Sequence, residues 1–477
     1  MSRTPANVRE CAFPVHDFQT RKIVNRHSAQ SRSDPARYNG GMPNLPNIDE
    51  STRAFIAAHR DEDVRELALH PGHAEGVDLP FALDQIAGRR KALSKLPEWA
   101  ACEDVVYPPH LAMEQCSSQF TARYKADLAR RLMAARTGGA PTNDKPAASD
   151  CADGAAPGRE LIDLTGGFGV DFSYMARAFE HATYVERQTQ LCDLAGHNMA
   201  ALGLEGRTRI INGDSVAYLN GLPADAASMV FADPARRDEH GARTYAIADC
   251  TPDVLALKDR LLEVAPIVMI KLSPMLDWRK TVADFGGAVS EVHIVSTGNE
   301  CKELLVVLRR RPTAADDVWI ACVNDGQRLE YALGEETEAA AAAIMETESI
   351  PPIPIGEATT LYEPNASLMK AGCFALLSRR FHVRQIAPNS HLYVGSGTAD
   401  PTFPGRAFAV QATSTMNKRE LKAALAGIDQ ANVAVRNFPL TVAQLRRKLK
   451  LRDGGGVYLF ATTTADGTHT LFVTRKA

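Results

Sequence analysis

Short apolar runs alternate with helix-like stretches between residues 159 and 311, and each run ends in a polar or acidic turn. Leu161-Ile162-Asp163 closes the first, Tyr184-Val185-Glu186 the second and Ile210-Ile211-Asn212-Gly213-Asp214 the third. Met229-Val230-Phe231-Ala232 runs into Asp233-Pro234, and Ile267-Val268-Met269-Ile270-Lys271-Leu272 into Ser273-Pro274. The order strand, turn, helix, repeated, predicts an α/β fold with a doubly wound sheet and its ligand at the carboxyl ends of the strands.

The first turn carries the candidate chemistry. Thr165-Gly166-Gly167-Phe168-Gly169 follows Asp163 at once, and a helix is expected to begin near Val170. Glycines there let the backbone approach a ligand, and the helix N-terminus turns its partly positive end to the same place. A nucleotide-like cofactor suits that geometry. The dinucleotide fingerprint G-x-G-x-x-G is not met, because the third glycine position is Phe172, which speaks against an oxidoreductase of this fold class. Glu186 lies 23 residues beyond Asp163, where an acid accepts hydrogen bonds from ribose hydroxyls. Asp214 is placed to accept a bond from an adenine amino group.

Together, D-L-T-G-G-F-G, Val185-Glu186, Gly213-Asp214 and Asp233-Pro234 make the region from about Arg159 to Arg310 resemble a class I S-adenosylmethionine-dependent methyltransferase, with Thr165 where the first motif glycine usually stands. The resemblance implies a Rossmann-like sheet and S-adenosyl-L-methionine as cofactor. It places the methionine part on the loop (Asp163, Thr165, Gly167, Phe168 and Gly169), the ribose on Glu186 and the adenine on Asp214. The closing antiparallel hairpin of such domains is expected from Glu291–Ser296 and Leu304–Leu308.

The turn Asp233-Pro234-Ala235-Arg236-Arg237 bears on the reaction. Enzymes that methylate exocyclic amino groups of bases carry an aromatic residue there to stack on the base. This turn instead resembles the D-P-P-R of RNA methyltransferases acting on ring positions. Asp233, Pro234 and Arg236 are therefore the candidate catalytic residues, with Asp233 also beside the cofactor. Asp233 would orient the acceptor or act as its base. Arg236 and Arg237 would grip a phosphate or stack on a base, unless they are only solvated loop charges. No cysteine neighbours this turn or the fifth-strand turn in sequence, which weighs against a covalent cysteine mechanism.

At 477 residues the chain is too long for one ordinary domain. No apolar run approaches the ~20 residues of a membrane span. Its nine cysteines form no C-x-x-C pair, and no secretory signal core precedes them, so free thiols in the cytoplasm and no metal site are expected. Residues 1–46 are expected to be a disordered extension, within which Met42 is an alternative start. A helical region follows over 47–135, where Ser118, Thr121 and Lys125 would share one helix face toward the cofactor, unless this is an ordinary capped helix with a polar outer side. A linker rich in Gly, Ala and Pro spans 136–158, the catalytic domain 159–311 and a small α+β module 312–403.

The last segment, 404–477, has its own charge. From Gly405 onward it holds 12 Lys and Arg against four Asp and Glu, which leaves the rest of a chain of net charge −3 near −11. A basic module on an acidic body is the footprint of a nucleic-acid-binding appendage. Its pattern reads strand, helix, strand, helix and a hairpin around Asp466-Gly467. In the second helix Val442, Leu445 and Leu449 make a core stripe, while Arg446, Arg447 and Lys450 project elsewhere and would follow an RNA backbone, unless they are only a solvated helix face. With Arg436-Asn437-Phe438-Pro439 and the Leu445–Leu451 stretch, the tail resembles a THUMP-like domain, and such chains place a ferredoxin-like module before it. The expectation is an S-adenosylmethionine-dependent RNA methyltransferase, with transfer RNA favoured over ribosomal RNA and no obligate protein partner. The alternatives are a methyltransferase of a protein or small molecule, and an RNA-binding protein whose pocket is vestigial.

Overall fold

The computed structural model describes residues 48–70, 72, 74–108, 110–135, 158–236, 247–346 and 359–477. The expected extension over 1–46 lies outside these, as does the linker over 136–158 except for Gly158, which opens the first strand.

Strands β1 (Gly158–Asp163), β2 (Phe179–Glu186), β3 (Thr208–Asn212) and β4 (Met229–Ala232) come first, and a two-residue ribbon, β5 (Ala235–Arg236) with β6 (Cys250–Thr251), stands apart. β7 (Ile267–Leu272), β8 (Val289–Thr297), β9 (Glu300–Arg309), β10 (Trp319–Asn324) and β11 (Gln327–Ala332) follow. Nine of them form one sheet in the order β11-β10-β8-β9-β7-β4-β1-β2-β3. β1, β2, β3, β4 and β7 run parallel, and β9 lies antiparallel between β7 and β8 as the expected hairpin. The strand order reverses between β1 and β4, and the crevice that opens at such a switch point is where these sheets bind ligands.

Period-two alternation sends successive residues of each strand to opposite faces. Met229 and Phe231 meet the N-terminal helical region, where Trp99, Leu128 and Leu132 pack with Leu161, Met269 and Leu305. Val230 and Ala232 meet the other layer, with Trp278, Phe285, Leu368 and Leu377. Both faces are covered, so the central strands read as unbroken apolar runs. Among the described residues no helix is long and apolar enough to cross a membrane.

One boundary differs from expectation. Residues 319–332, assigned by pattern to the module over 312–403, extend the catalytic sheet instead. β10 pairs parallel with β8 from Trp319↔Glu291 to Asn324↔Ser296, and β11 pairs antiparallel with β10. The buried Ile320, Ala321, Cys322 and Val323 cover what would otherwise be an open edge at β8.

The rest of the chain forms a seven-stranded sheet from β12 (Thr359–Pro364), β13 (Arg384–Gln385), β14 (Tyr393–Ser396), β15 (Gly405–Thr415), β16 (Asn432–Arg436), β17 (Tyr458–Thr463) and β18 (His469–Lys476), in the order β13-β14-β12-β15-β18-β17-β16. The two modules expected on either side of residue 404 therefore share one sheet, joined where β12 pairs with β15. Buried Glu363 holds Arg406 and Arg436 across that joint. Asn365 caps the helix Ala366–Ala371, and its Nδ2 donates to Gln327 Oε1 at 2.9 Å, fastening the second sheet to the first.

Candidate active site

The loop after β1 is shaped by two requirements. Gly167 and Gly169 have φ of +55° and +86°, the left-handed region that glycine enters without strain. Gly166 has a different reason: a Cβ there would lie 2.1 Å from the Tyr184 ring. Tyr184 in turn donates from its hydroxyl to Gly167 O at 2.5 Å. Glu186, at the end of β2, accepts from Gly167 N at 3.2 Å and Gln188 N at 2.9 Å, so its carboxylate is braced from both sides. Asp214 caps the helix Ser215–Asn220 through one oxygen, accepting from Ala217 N at 2.9 Å.

Thr165 explains why glycine is not needed at its position. Its hydroxyl donates to Asp163 Oδ1 at 3.3 Å and accepts from Asp233 N at 2.6 Å, tying the β1 loop to the β4 turn. Its backbone N–H also donates to Asp163 Oδ1, at 2.9 Å. Asp163 is only 1% exposed. Burial raises its carboxyl to about 8 despite the Thr165 backbone bond, and the nearby Asp171 and Asp233 charges add to the rise. Phe168 is buried with its ring edge-on to Trp99, 5.0 Å between centroids, so the loop also anchors the N-terminal helices.

The loop after β1 and the acids Glu186, Asp214 and Asp233 open on one cavity of about 1500 Å³. Asp163 to Asp171, Glu186, Asp214, Asp233, Ala235 and Lys271 form its floor and sides. The N-terminal region supplies more of its wall through Phe81, Asp84, Tyr107, Pro108 and the stretch Gln115 to Ser117. That volume exceeds the ~300–1,000 Å³ of ordinary small-molecule sites and leaves space beside a nucleoside-sized cofactor.

The expected polar face toward the cofactor is divided by the structure. Ser118 is the N-cap of the helix Gln119–Ala134, accepting from Thr121 N, and the Thr121 hydroxyl donates back to Ser118 O. Both side chains are consumed by the cap, so neither serves the cavity. Lys125 is fully buried and pairs with Glu303 at 2.6 Å and Asp171 at 3.2 Å. Its neighbour Lys271 lies 2.5 Å from Asp233 and 3.6 Å from Asp171. Burial alone would push the Lys271 ammonium down, but the carboxylates of Asp233 and Asp171 outweigh it and hold it above the usual lysine range. Burial likewise presses on Asp171, yet Lys125 and Lys271 keep it below the usual carboxylate range.

Sequence reasoning missed Lys271, Asp171 and Glu303. The available signal was a charge inside an apolar strand run, as in Ile-Val-Met-Ile-Lys-Leu and Glu-Leu-Leu-Val-Val-Leu. It also missed Cys116, distant in sequence from the turns but part of the cavity wall. Burial raises the Cys116 thiol, which disfavours the thiolate a covalent route needs. Pro234 is buried and Asp233 half-exposed. Arg236 lies in β5, but its side chain and the whole of Arg237 are outside the described residues. In the C-terminal domain Arg447 and Lys450 are exposed, whereas Arg446 is half-buried and paired with Asp453 at 2.6 Å.

A parallel sheet of order 3-2-1-4 closed by an antiparallel hairpin, with a glycine loop after β1 and acids ending β2 and following β3, defines a class I S-adenosylmethionine-dependent methyltransferase. Known proteins agree. Residues 361–404 match a ferredoxin-like domain model and residues 405–476 a THUMP domain-like model. A crystal structure of a putative methyltransferase from Porphyromonas gingivalis W83 superposes with a TM-score of 0.73 at 29% identity, covering 90% of this chain and 98% of that one. Uncharacterized S-adenosylmethionine-dependent methyltransferases of two Mycobacterium tuberculosis strains, CDC 1551 and H37Rv, are 24% identical over 403 residues, 81% of this chain and 94% of theirs. The chain is a methyltransferase of this class with a C-terminal THUMP-like domain.

Proposed function

We propose that the protein methylates RNA, with transfer RNA favoured over ribosomal RNA. The observation that carries the reading is a layer of cations on the THUMP-like domain. The helices Lys418–Ala424 and Val442–Leu449 pack through Leu421, Ala424, Leu445 and Leu449 into the same apolar layer on the β15-β18-β17-β16 sheet. They carry Lys418, Arg419, Lys422, Arg447 and Lys448, with Lys450 capping the second, all exposed and none ion-paired with a carboxylate among the described residues. Such a layer suits a phosphate backbone. Arg446, spent on Asp453, is a lesser contributor.

The cofactor site fits S-adenosyl-L-methionine. Asp163 is a buried carboxylate at about 8 that a cation would stabilise, and the cofactor's ammonium is such a cation. Gly167, Phe168 and Gly169 would receive its methionine part, Glu186 its ribose and Asp214, through the oxygen not used in capping, its adenine amino group. Thr165 contributes by holding Asp163 and the Asp233 turn in register. When bound, the cofactor supplies an electrophilic methyl group. Asp233 would face the acceptor, with Pro234 shaping the turn and Arg236 engaging the RNA strand. Much of the rate can then come from positioning.

Nucleoside mass spectrometry on RNA from cells with and without this gene tests the reading. A modified nucleoside lost with the gene, and regained with it, supports it. Identical profiles in both would refute it.

A further inference from the structure

Beside Asp233 stands a group that the turn motif does not include. Lys271, near the end of β7, lines the cavity with its Nζ 2.5 Å from Asp233 Oδ2. It is held from behind. Asp171 lies 3.6 Å from Lys271 and 3.2 Å from Lys125, and Lys125 bonds both oxygens of Glu303 at 2.6 and 2.7 Å. Ser117 steadies the array, donating to Asp171 at 2.7 Å and accepting from Lys125 at 3.3 Å. Side-chain exposure falls from 40% at Asp233 and 15% at Lys271 to 3% at Glu303 and none at Lys125. The cavity thus sees a carboxylate and an ammonium, backed by a buried charge cluster drawn from three further elements.

The sign of the charge that develops decides which acceptor such a pair serves. A ring nitrogen that bears no hydrogen becomes more positive as it takes up a methyl group, and an ammonium beside it opposes that change, while a ring N–H spreads the charge left by its proton onto the carbonyl oxygens of the base and away from the reacting atom. An exocyclic amino group needs acceptors for its hydrogens and an aromatic wall, but Ala235 follows Pro234 here. A ring carbon needs a thiolate, which burial denies to Cys116. A hydroxyl differs from all three: its oxygen becomes negative as its proton leaves. An ammonium stabilises that oxygen, and a carboxylate takes the proton.

We infer that the acceptor atom is a hydroxyl oxygen and, resting on the RNA reading above, the 2′-hydroxyl of a ribose, with Asp233 and Lys271 as the catalytic pair and Lys125, Asp171 and Glu303 as positioning residues for Lys271. The hydroxyl binds beside the pair, its O–H donating to Asp233 and its oxygen accepting from Lys271. Its O–H proton passes to the Asp233 carboxylate and then to solvent. A C–O bond forms from the hydroxyl oxygen to the methyl carbon as the C–S bond of the sulfonium breaks, leaving a neutral thioether. Lys271 keeps its proton throughout and is neither consumed nor reset.

The test uses full-length protein, methyl-labelled S-adenosylmethionine and bulk RNA from a strain lacking the gene. A methyl on the 2′-oxygen blocks alkaline cleavage of the next phosphodiester, so the label is expected in alkali-stable dinucleotides. Lys271→Met is expected to lower kcat about 10²–10³-fold while cofactor affinity, measured by calorimetry, stays unchanged. Without the ammonium, the variant's rate should climb between pH 7 and 9 where the native rate is flat, and Lys271→Arg should recover part of the loss. Label in alkali-labile, base-methylated nucleotides overturns the hydroxyl assignment and leaves the RNA reading standing. An RNA that takes up no label overturns the RNA reading, and the ribose assignment with it. A Lys271→Met enzyme as fast as the native one overturns the role of Lys271 alone.

Discussion

The substitution Asp163→Asn should make the cofactor-free protein more stable at neutral and alkaline pH while weakening its cofactor site. The carboxyl is buried and raised from 3.8 to about 8. At about 1.4 kcal/mol per pKa unit, that rise corresponds to roughly 6 kcal/mol as an upper bound. Because the folded pKa lies above the unfolded one, the folded state binds the extra proton. The group's contribution is therefore complete below about pH 4 and is lost as pH climbs through 8. Between pH 5 and 8 the native protein should lose about 4 kcal/mol from this residue. An asparagine side chain has no proton to lose, and its carbonyl oxygen can still accept from Thr165 N. Urea unfolding of both proteins at pH 5, 6, 7, 8 and 9 measures the difference. The gap between them should widen with pH and level off above 8, while calorimetry records weaker cofactor binding by the variant. Parallel pH dependences would sink the reasoning, since they would mean that Asp163 folds with its usual pKa.

Other expectations follow from the same contacts. Gly166→Ala places a Cβ 2.1 Å from the Tyr184 ring, and by overpacking alone should cost about 1–3 kcal/mol, read as a lowered denaturation midpoint. Lys125→Met leaves Glu303 buried without its main partner and should cost about 3–5 kcal/mol, most of it recovered in Lys125→Met/Glu303→Leu; a double variant no better than the single one would contradict the ion-pair account. Arg447→Ala with Lys450→Ala should lower the slope of log RNA affinity against log salt by about 2, whereas Arg446→Ala should change it less because that residue is already paired with Asp453.

Much of the catalytic domain was legible because its central strands are covered on both faces. Burial writes long apolar runs into β1, β4 and β7, and the acids that end or follow β1, β2 and β3 stand out against them. The Asp163 loop was legible for a second reason: glycine is the residue that a positive φ at 167 and 169 selects. The strand pattern of residues 319–332 was equally clear, but a strand carries no mark of which sheet it will join. Only the pairing of β10 with β8 assigned it. Ser118 and Thr121 allowed two readings, because an N-cap and a polar patch look alike in sequence, and the structure makes them the cap of an ordinary helix.

The sequence by itself determined the class of fold, the glycine loop and the acids around it, since those depend on local chain geometry and on residues a few positions apart. It also determined that the tail is basic. Only the tertiary structure decided what surrounds Asp233. Lys125, Asp171, Lys271 and Glu303 come from a helix, a loop-to-helix turn and two strands, the first and last of them 178 positions apart, and no local pattern links them. Burial makes them a unit, because charges withdrawn from water must find one another.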